Sequence, residues 1–240
     1  MRILTPPSVF KPISDTWLLA EGMRADPGLA GGEVLDVCTG SGALAVAAAL
    51  AGARRATAVD LSRRAVLTAR LNARLNRVQV RARRGSLFEP VRGERFDLIV
   101  SNPPYVPSTR EDELPTAGPE RAWEGGLEGR ALLDPLCAEA ADHLELGGAL
   151  LLVHSSVCGE GATLDALRRG GLEAQVVARQ PGPLGPLMRS RAAPLERRGL
   201  LRPGEREEEL LVIEGRRGEA RRAQAPANTA GREPAGAQSR

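Results

Sequence analysis

The chain has 240 residues, a 42% hydrophobic share and a formal net charge of +3, which suits one domain of ordinary size with a full core. The charge is uneven: Arg216 to Arg240 carry six arginines against two glutamates, or +4, which leaves the first 215 residues at −1 and excludes a basic nucleic-acid-binding body. No apolar run is long enough to span a bilayer, and the start of the chain has no signal-peptide core. Three dispersed cysteines, Cys38, Cys137 and Cys158, argue for reduced thiols in a cytoplasmic protein and against a disulfide frame or a zinc site.

Residues Pro12 to Arg24 read as a helix, with Pro12 in its first turn and Trp17, Leu18, Ala20 and Met23 on its apolar side. Pro27-Gly28 and Gly31-Gly32 then break the chain. A short strand, Glu33 to Val37, runs through Asp36 into Cys38-Thr39-Gly40-Ser41-Gly42, and an alanine-rich helix follows from Ala43 to Leu50. Strand, glycine turn and helix bring a ligand close to backbone, because glycine carries no Cβ and tolerates positive φ. The spacing Asp-x-x-x-Gly-x-Gly lacks the third glycine of the dinucleotide fingerprint. An acidic residue at the strand end suits a cationic or polyhydroxyl ligand better than a pyrophosphate.

The second strand, Ala56 to Val59, ends in Asp60, a carboxylate placed either to accept both hydroxyls of a ribose or to cap the next helix near Ser62. A helix from Arg63 to Asn76 follows. A third strand begins at Val78-Gln79-Val80 and ends near Gly85-Ser86-Leu87-Phe88, which is either a simple turn or a contact for an adenine edge. The fourth strand, Phe96 to Ser101, is an apolar run that reads as buried.

Asn102-Pro103-Pro104-Tyr105 follows that strand, and the rest of the chain is organised around it. Two prolines in succession have no N–H to donate, so the chain must leave the sheet at the strand's carboxyl end, where open α/β sheets place ligands. An asparagine and an aromatic flanking a rigid, donor-free turn can hold a planar nitrogen. The amide oxygen and an adjacent carbonyl accept its hydrogens, and the ring of Tyr105, the single tyrosine, covers its face. A plain proline-rich strand exit with a packed tyrosine is the alternative.

Val106 to Arg121 reads as a loop whose Arg110-Glu111-Asp112-Glu113 is a solvated acidic stretch. A glycine-rich segment, Trp123 to Arg130, follows it, then a helix from Arg130 to Leu144. The fifth strand, Ala149 to Val153, ends at His154, a packing or loop residue without a metal-binding partner. A helix over Leu164–Arg169 and a sixth strand over Glu173–Ala178 precede a long loop, Gln180 to Pro203. A last strand, Leu210 to Ile213, hairpins with the sixth. From Arg216 on, the composition is that of a disordered tail. The chain thus divides into a domain over 1–215 and a tail over 216–240.

Alternating strands and helices, with a glycine turn after the first strand and an acid after the second, give a doubly wound sheet. Together with Asn-Pro-Pro-Tyr after strand four, this resembles a class I methyltransferase that uses S-adenosylmethionine. The chain is similar to the HemK/PrmC-type glutamine methyltransferases that modify peptide-chain release factors, in the short branch that lacks an N-terminal helical domain. Three segments carry the resemblance: Val9 to Leu19, Asn102 to Pro107, and Ala122 to Arg130. It covers residues 8–214. The sequence departs from the family at Ile13-Ser14, where Glu usually precedes Asp-Thr. It departs again at Ser86, commonly Asp, and at Cys38 or Thr39, where another glycine is usual.

The resemblance implies a Rossmann-like fold with a seven-stranded, mostly parallel sheet, helices on both faces and a C-terminal antiparallel hairpin. It implies methylation of a glutamine amide nitrogen in the Gly-Gly-Gln motif of a release factor. Asn102 and the Pro103 carbonyl would hold the amide hydrogens, and Tyr105 would pack beside them. Asp36, Gly40 and Gly42 would serve the methionine end of the cofactor, Asp60 the ribose, and Ser86 and Leu87 the adenine. Thr16 would close over the cofactor, which Asn102 would also touch. No metal is implied in the site. A small zinc-binding activator protein is a partner of short-branch relatives. Two other readings share the tetrapeptide or the fold: a nucleic-acid amino-methyltransferase, disfavoured by the near-neutral body and few stacking aromatics, and a non-catalytic binding module.

Overall fold

The structure, a computed structural model, describes residues 1–109, 114–115 and 118–218. The acidic stretch 110–113 and the chain from 219 to 240 lie outside the described residues. In chain order the elements are α1 (Ser14–Ala25), β1 (Glu33–Val37), α2 (Ala43–Leu50), β2 (Arg55–Asp60), α3 (Arg63–Leu75), β3 (Arg81–Arg84), β4 (Phe96–Ser101), α4 (Leu133–Glu139), β5 (Leu144–Ser155), α5 (Glu160–Arg169), β6 (Glu173–Pro183), α6 (Pro186–Ser190), α7 (Ala192–Arg197) and β7 (Glu207–Arg216).

One sheet takes all seven strands in the order β3-β2-β1-β4-β5-β7-β6. The first five strands run parallel, and β7 is antiparallel to both of its neighbours. Alternation along each strand divides the apolar residues between two faces. Val34, Leu98, Val100, Leu151 and Val212 pack with Leu19 and Met23 of α1 and Leu44 of α2. Leu35, Val37, Ile99, Leu150, Leu152 and Ile213 pack with Leu133 and Leu136 of α4 and Leu167 of α5. Both faces are therefore covered, as the apolar strands require. Chain order reverses between β1 and β4, whose ends pair as Val37 with Ser101. The turns after Val37 and Ser101 emerge side by side at this switch point, where a doubly wound sheet forms its crevice.

Several elements differ from the sequence reading. The third strand ends beside Gly85 as expected but starts at Arg81 rather than Val78, because its register on β2 pairs Arg81 with Thr57, Ala82 with Ala58 and Arg84 with Asp60. Only Ala82 is buried there; the arginines blunt an exposed sheet edge. The helix expected over Arg130–Leu144 is confined to Leu133–Glu139 and continues as a 3-10 turn, Ala140–His143, before β5 starts. Trp17, expected on the apolar side of α1, is 38% exposed, and Leu19 takes the buried position. Gln180–Pro203 is not one loop: β6 runs on to Pro183, and α6 and α7 bury Leu184, Met188, Ala192, Leu195 and Leu201 as a small core of their own. At the end of the fold, β7 includes Arg216, whose guanidinium bonds Asp26 at 2.6 Å, and Arg217 N–H donates to the Gly148 carbonyl at 2.8 Å. The first residues of the expected tail thus belong to the sheet.

Candidate active site

The exit from β1 curls through three left-handed residues, Cys38 (φ +60°), Gly40 (φ +53°) and Gly42 (φ +81°). Cys38 stands in a conformation that costs a non-glycine residue about 1–2 kcal/mol, and it is one of the two positions, with Thr39, where the family resemblance anticipates another glycine. The curl tucks Asp36 beneath the turn. Its Oδ2 accepts from the Thr39 hydroxyl and from Ala45 N–H in the first turn of α2 (3.0 Å), while its buried Oδ1 has no partner. Burial pushes the Asp36 carboxyl up to about 7; the bonds from Thr39 and Ala45 oppose that shift and nearby Asp60 adds to it.

Asp60 ties the next two turns together. Its Oδ2 accepts Gly40 N–H at 2.9 Å and its Oδ1 accepts Ser62 N–H at 2.8 Å. The N-cap of α3 is Ser62, which accepts Ala65 N–H at 3.4 Å. Asp60 is therefore no cap, and each of its oxygens keeps lone-pair capacity for ligand hydroxyls. Burial raises its pKa, with the Ser62 and Gly40 bonds opposing. Gly85 N–H donates to the Asp60 carbonyl at 3.1 Å, which brings Ser86 and Leu87 to the same opening.

After β4, Asn102 Nδ2 donates to Thr16 Oγ1 at 3.0 Å, and Tyr105 Oη donates to Asp15 Oδ2 at 2.9 Å. Thr16 Oγ1 donates in turn to Asp15 Oδ1 at 3.1 Å. The first turn of α1 therefore grips both ends of the Asn102–Tyr105 turn. Burial, with the adjacent Asp15 charge, holds the Tyr105 phenol well above its ordinary range, so it keeps its proton.

The glycine-rich segment supports the turn from behind. Val106 N–H bonds the Trp123 carbonyl and Gly125 N–H bonds the Val106 carbonyl, both at 2.9 Å. A Cβ on Gly125 would lie 2.7 Å from Tyr105 Cα, and one on Gly129 would overlap the Tyr105 carbonyl and come within 2.7 Å of Cys158 Sγ. The Cys158 thiol donates to that same carbonyl at 3.1 Å. Arg130 fixes the Cys158 region through Nη1 to the Cys158 carbonyl at 2.7 Å and to Thr163 Oγ1 at 3.0 Å.

One cavity of about 880 Å³ joins these parts. Thr16, Asp36, Gly40, Asp60, Ser86, Leu87, Asn102, Pro103 and Tyr105 all line it, as do Ser8, Val9 and Phe10 of the N-terminal segment. Gly42 does not. A Cβ there would lie 2.7 Å from Ala69 Cβ, so its glycine serves the contact between the turn and α3. Sequence reasoning missed Asp15 as the anchor of the central turn, because a carboxylate in the first turn of a helix looks like a dipole partner. It also missed Glu124 and the α6–α7 wall. Glu124, 8% exposed, pairs with Arg191, which also donates to the Pro107 carbonyl at 2.8 Å; Glu124 Oε2 and Trp123 Nε1 stay buried without partners. His154 is fully buried in β5, and burial lowers its pKa to about 4, so it is a neutral packing residue.

Three carboxylates, Asp15, Asp36 and Asp60, face a cavity whose other end presents a donor-free turn. That suits a ligand with cationic and diol groups next to an acceptor amide. The sheet and this site define a Rossmann-like methyltransferase. The methyltransferase small domain family matches residues 1–116. A Methanocaldococcus jannaschii protein assigned as a protein N5-glutamine methyltransferase is 35% identical over 188 residues, which is 78% of this chain and 93% of that protein. The chain belongs to this protein glutamine methyltransferase family, and S-adenosylmethionine is its cofactor. A release factor glutamine methyltransferase of Deinococcus radiodurans is 46% identical over 50% of this chain and 44% of its own length, so the chain spans about half of such bacterial relatives. Among solved structures, the E. cuniculi Mtq2–Trm112 complex, described as responsible for methylating the eRF1 termination factor, shares the fold at a TM-score of 0.60 and 21% identity, covering 88% of this chain and 99% of that one.

Proposed function

We propose that this protein methylates the side-chain amide nitrogen of glutamine in the Gly-Gly-Gln motif of a peptide-chain release factor. The observation that carries the reading is the pair of free acceptors at the central turn. Asn102 spends its NH₂ group on Thr16, and among the described residues no group donates to Asn102 Oδ1 or to the Pro103 carbonyl. Two acceptors side by side fit the two hydrogens of one primary amide. Such a nitrogen is a poor nucleophile because its lone pair is delocalised into the carbonyl, so holding it in line contributes most of the acceleration. When bound, S-adenosylmethionine supplies a sulfonium-borne electrophilic methyl group.

Asp36 and Gly40 hold the methionine end of the cofactor, Asp60 the ribose diol, and Ser86 and Leu87 the adenine. The unpartnered Asp36 Oδ1 and the spare lone pairs of Asp60 support that assignment. Relatives are named for release factors and, in Bradyrhizobium diazoefficiens, for ribosomal protein uL3; the alignment covers 93% of the archaeal relative. A second subunit accompanies the enzyme, a reading supported by the two-protein E. cuniculi complex; the small zinc-binding activator that the family resemblance implies is the candidate. The setting in this reading is cytoplasmic, where the release factors for which its relatives are named act; no helix among the described residues is long and apolar enough to cross a membrane.

The test is methylation of purified release factor and of ribosomal protein uL3, followed by mass spectrometry of the glutamine peptides. Label on the Gly-Gly-Gln peptide supports the reading; label on uL3 alone, or on added tRNA, overturns it. Asn102→Ala should lower transfer at least about 100-fold while calorimetry shows near-wild-type cofactor binding.

A further inference from the structure

We propose that Asp15 is a positioning residue of methyl transfer, which sets the orientation of the Asn102 amide by fixing the Thr16 hydroxyl. The inference rests on the reading that Asn102 holds the acceptor nitrogen.

Asp15 is 2% exposed, and no arginine, lysine or histidine forms an ion pair with it among the described residues. A buried carboxylate without a cation is costly unless hydrogen bonds satisfy it. Here two hydroxyls and one amide do: Tyr105 Oη on Oδ2, and Thr16 Oγ1 with Thr16 N–H on Oδ1. A threonine hydroxyl has one hydrogen. With that hydrogen committed to the carboxylate, Thr16 Oγ1 can offer Asn102 only lone pairs. The Asn102 group at 3.0 Å must then be its NH₂, and its amide oxygen is turned to the opposite side. Were the amide reversed, an NH₂ would face the NH₂ of an incoming glutamine, donor against donor. The polarity of the acceptor site is thus decided one residue back, at a carboxylate that acts on Asn102 through the Thr16 hydroxyl. Tyr105 reinforces the arrangement, because its hydroxyl occupies the other oxygen of Asp15 at 2.9 Å and leaves Oδ1 to Thr16.

The test uses the full chain with purified release factor as acceptor, and four variants. Asp15→Ala and Thr16→Val should each lower kcat by about 100-fold, a larger change than in KM for S-adenosylmethionine, with a cooperative urea transition showing that each variant is folded. Thr16→Ser, which restores the hydroxyl, should recover most of that loss. A Thr16→Val enzyme with wild-type kcat, or a Thr16→Ser enzyme as impaired as Thr16→Val, overturns the proposal. A second measurement does not depend on activity. The chain has four asparagines, so ¹⁵N-asparagine labelling gives a sparse spectrum in which Asn102→Asp identifies the Asn102 side-chain signals. Those signals should move in Asp15→Ala; if they stay in place in the folded variant, the relay does not exist. If the wild-type protein methylates no protein acceptor, the functional reading fails while this spectrum still decides the role of Asp15.

Discussion

Replacing Gly42 by alanine tests whether this glycine serves packing or the ligand. Two costs follow from the geometry. At φ +81° a side chain is strained by about 1–2 kcal/mol. The new Cβ would lie 2.7 Å from Ala69 Cβ and 2.8 Å from Ala69 Cα. These atoms belong to the helix itself and cannot swing aside, so overpacking adds about 1–3 kcal/mol. The expected loss is about 2–5 kcal/mol, a large part of the roughly 5–15 kcal/mol that holds a domain together. Urea unfolding followed by far-ultraviolet circular dichroism should show a lower midpoint at unchanged slope. Ala69→Gly in the same chain should recover part of the loss, since it removes the Cβ contact and leaves the backbone strain. Cofactor affinity of the folded fraction should hold. A Gly42→Ala protein with a wild-type midpoint and weakened S-adenosylmethionine binding would refute the reasoning and return Gly42 to the binding site.

Three further outcomes are expected. Asp36 has a folded pKa of about 7 against an ordinary 3.8, so the folded state binds its proton more tightly; that stabilisation is present below about pH 4 and is lost as pH rises to 7, by up to about 4 kcal/mol. In cofactor-free protein the stability advantage of Asp36→Asn should therefore widen between those pH values and level off above them, and a flat difference would count against a buried, unpaired Oδ1. Gly129→Ala, whose Cβ meets the Tyr105 carbonyl and Cys158 Sγ, should displace the central turn and cut transfer about 100-fold, read by single-turnover assay beside cofactor calorimetry. Arg191→Ala leaves Glu124 buried without its cation and should cost about 3–5 kcal/mol, with new proteolytic cleavage in the α6–α7 segment as the local readout.

Strands β1 and β4 and helix α2 were legible to the residue, because each is a short apolar run closed by glycine or proline. Asp36, Gly40, Asp60 and Asn102-Pro103, which line the cavity, were legible for a related reason: they sit at strand ends and in turns whose chemistry is written locally. What could not be read depended on distant partners. β3 lies where Asp60 and Ala58 pair it, three residues past its most apolar stretch. α6 and α7, five and six residues long, exist because Leu195 and Met188 find Val157 and Tyr105, contacts without a local period. Gly125 and Gly129 read only as part of a glycine-rich segment, and their lack of a side chain answers to the backbone of Tyr105. Asp15 carries no local mark of its role, since its two ligands stand 1 and 90 residues away.

The turn from Asn102 to Tyr105 is braced on every inner side, by Asp15 and Thr16 in front and by Gly125, Gly129 and Cys158 behind. A platform so immobilised leaves all accommodation to the visitor. Whatever chain enters must arrive already bent to shape or surrender its own freedom on arrival, at about 0.5–1.5 kcal/mol for each side chain stilled. An intact loop displayed on a folded protein should accordingly outcompete the same residues cut free as a short peptide.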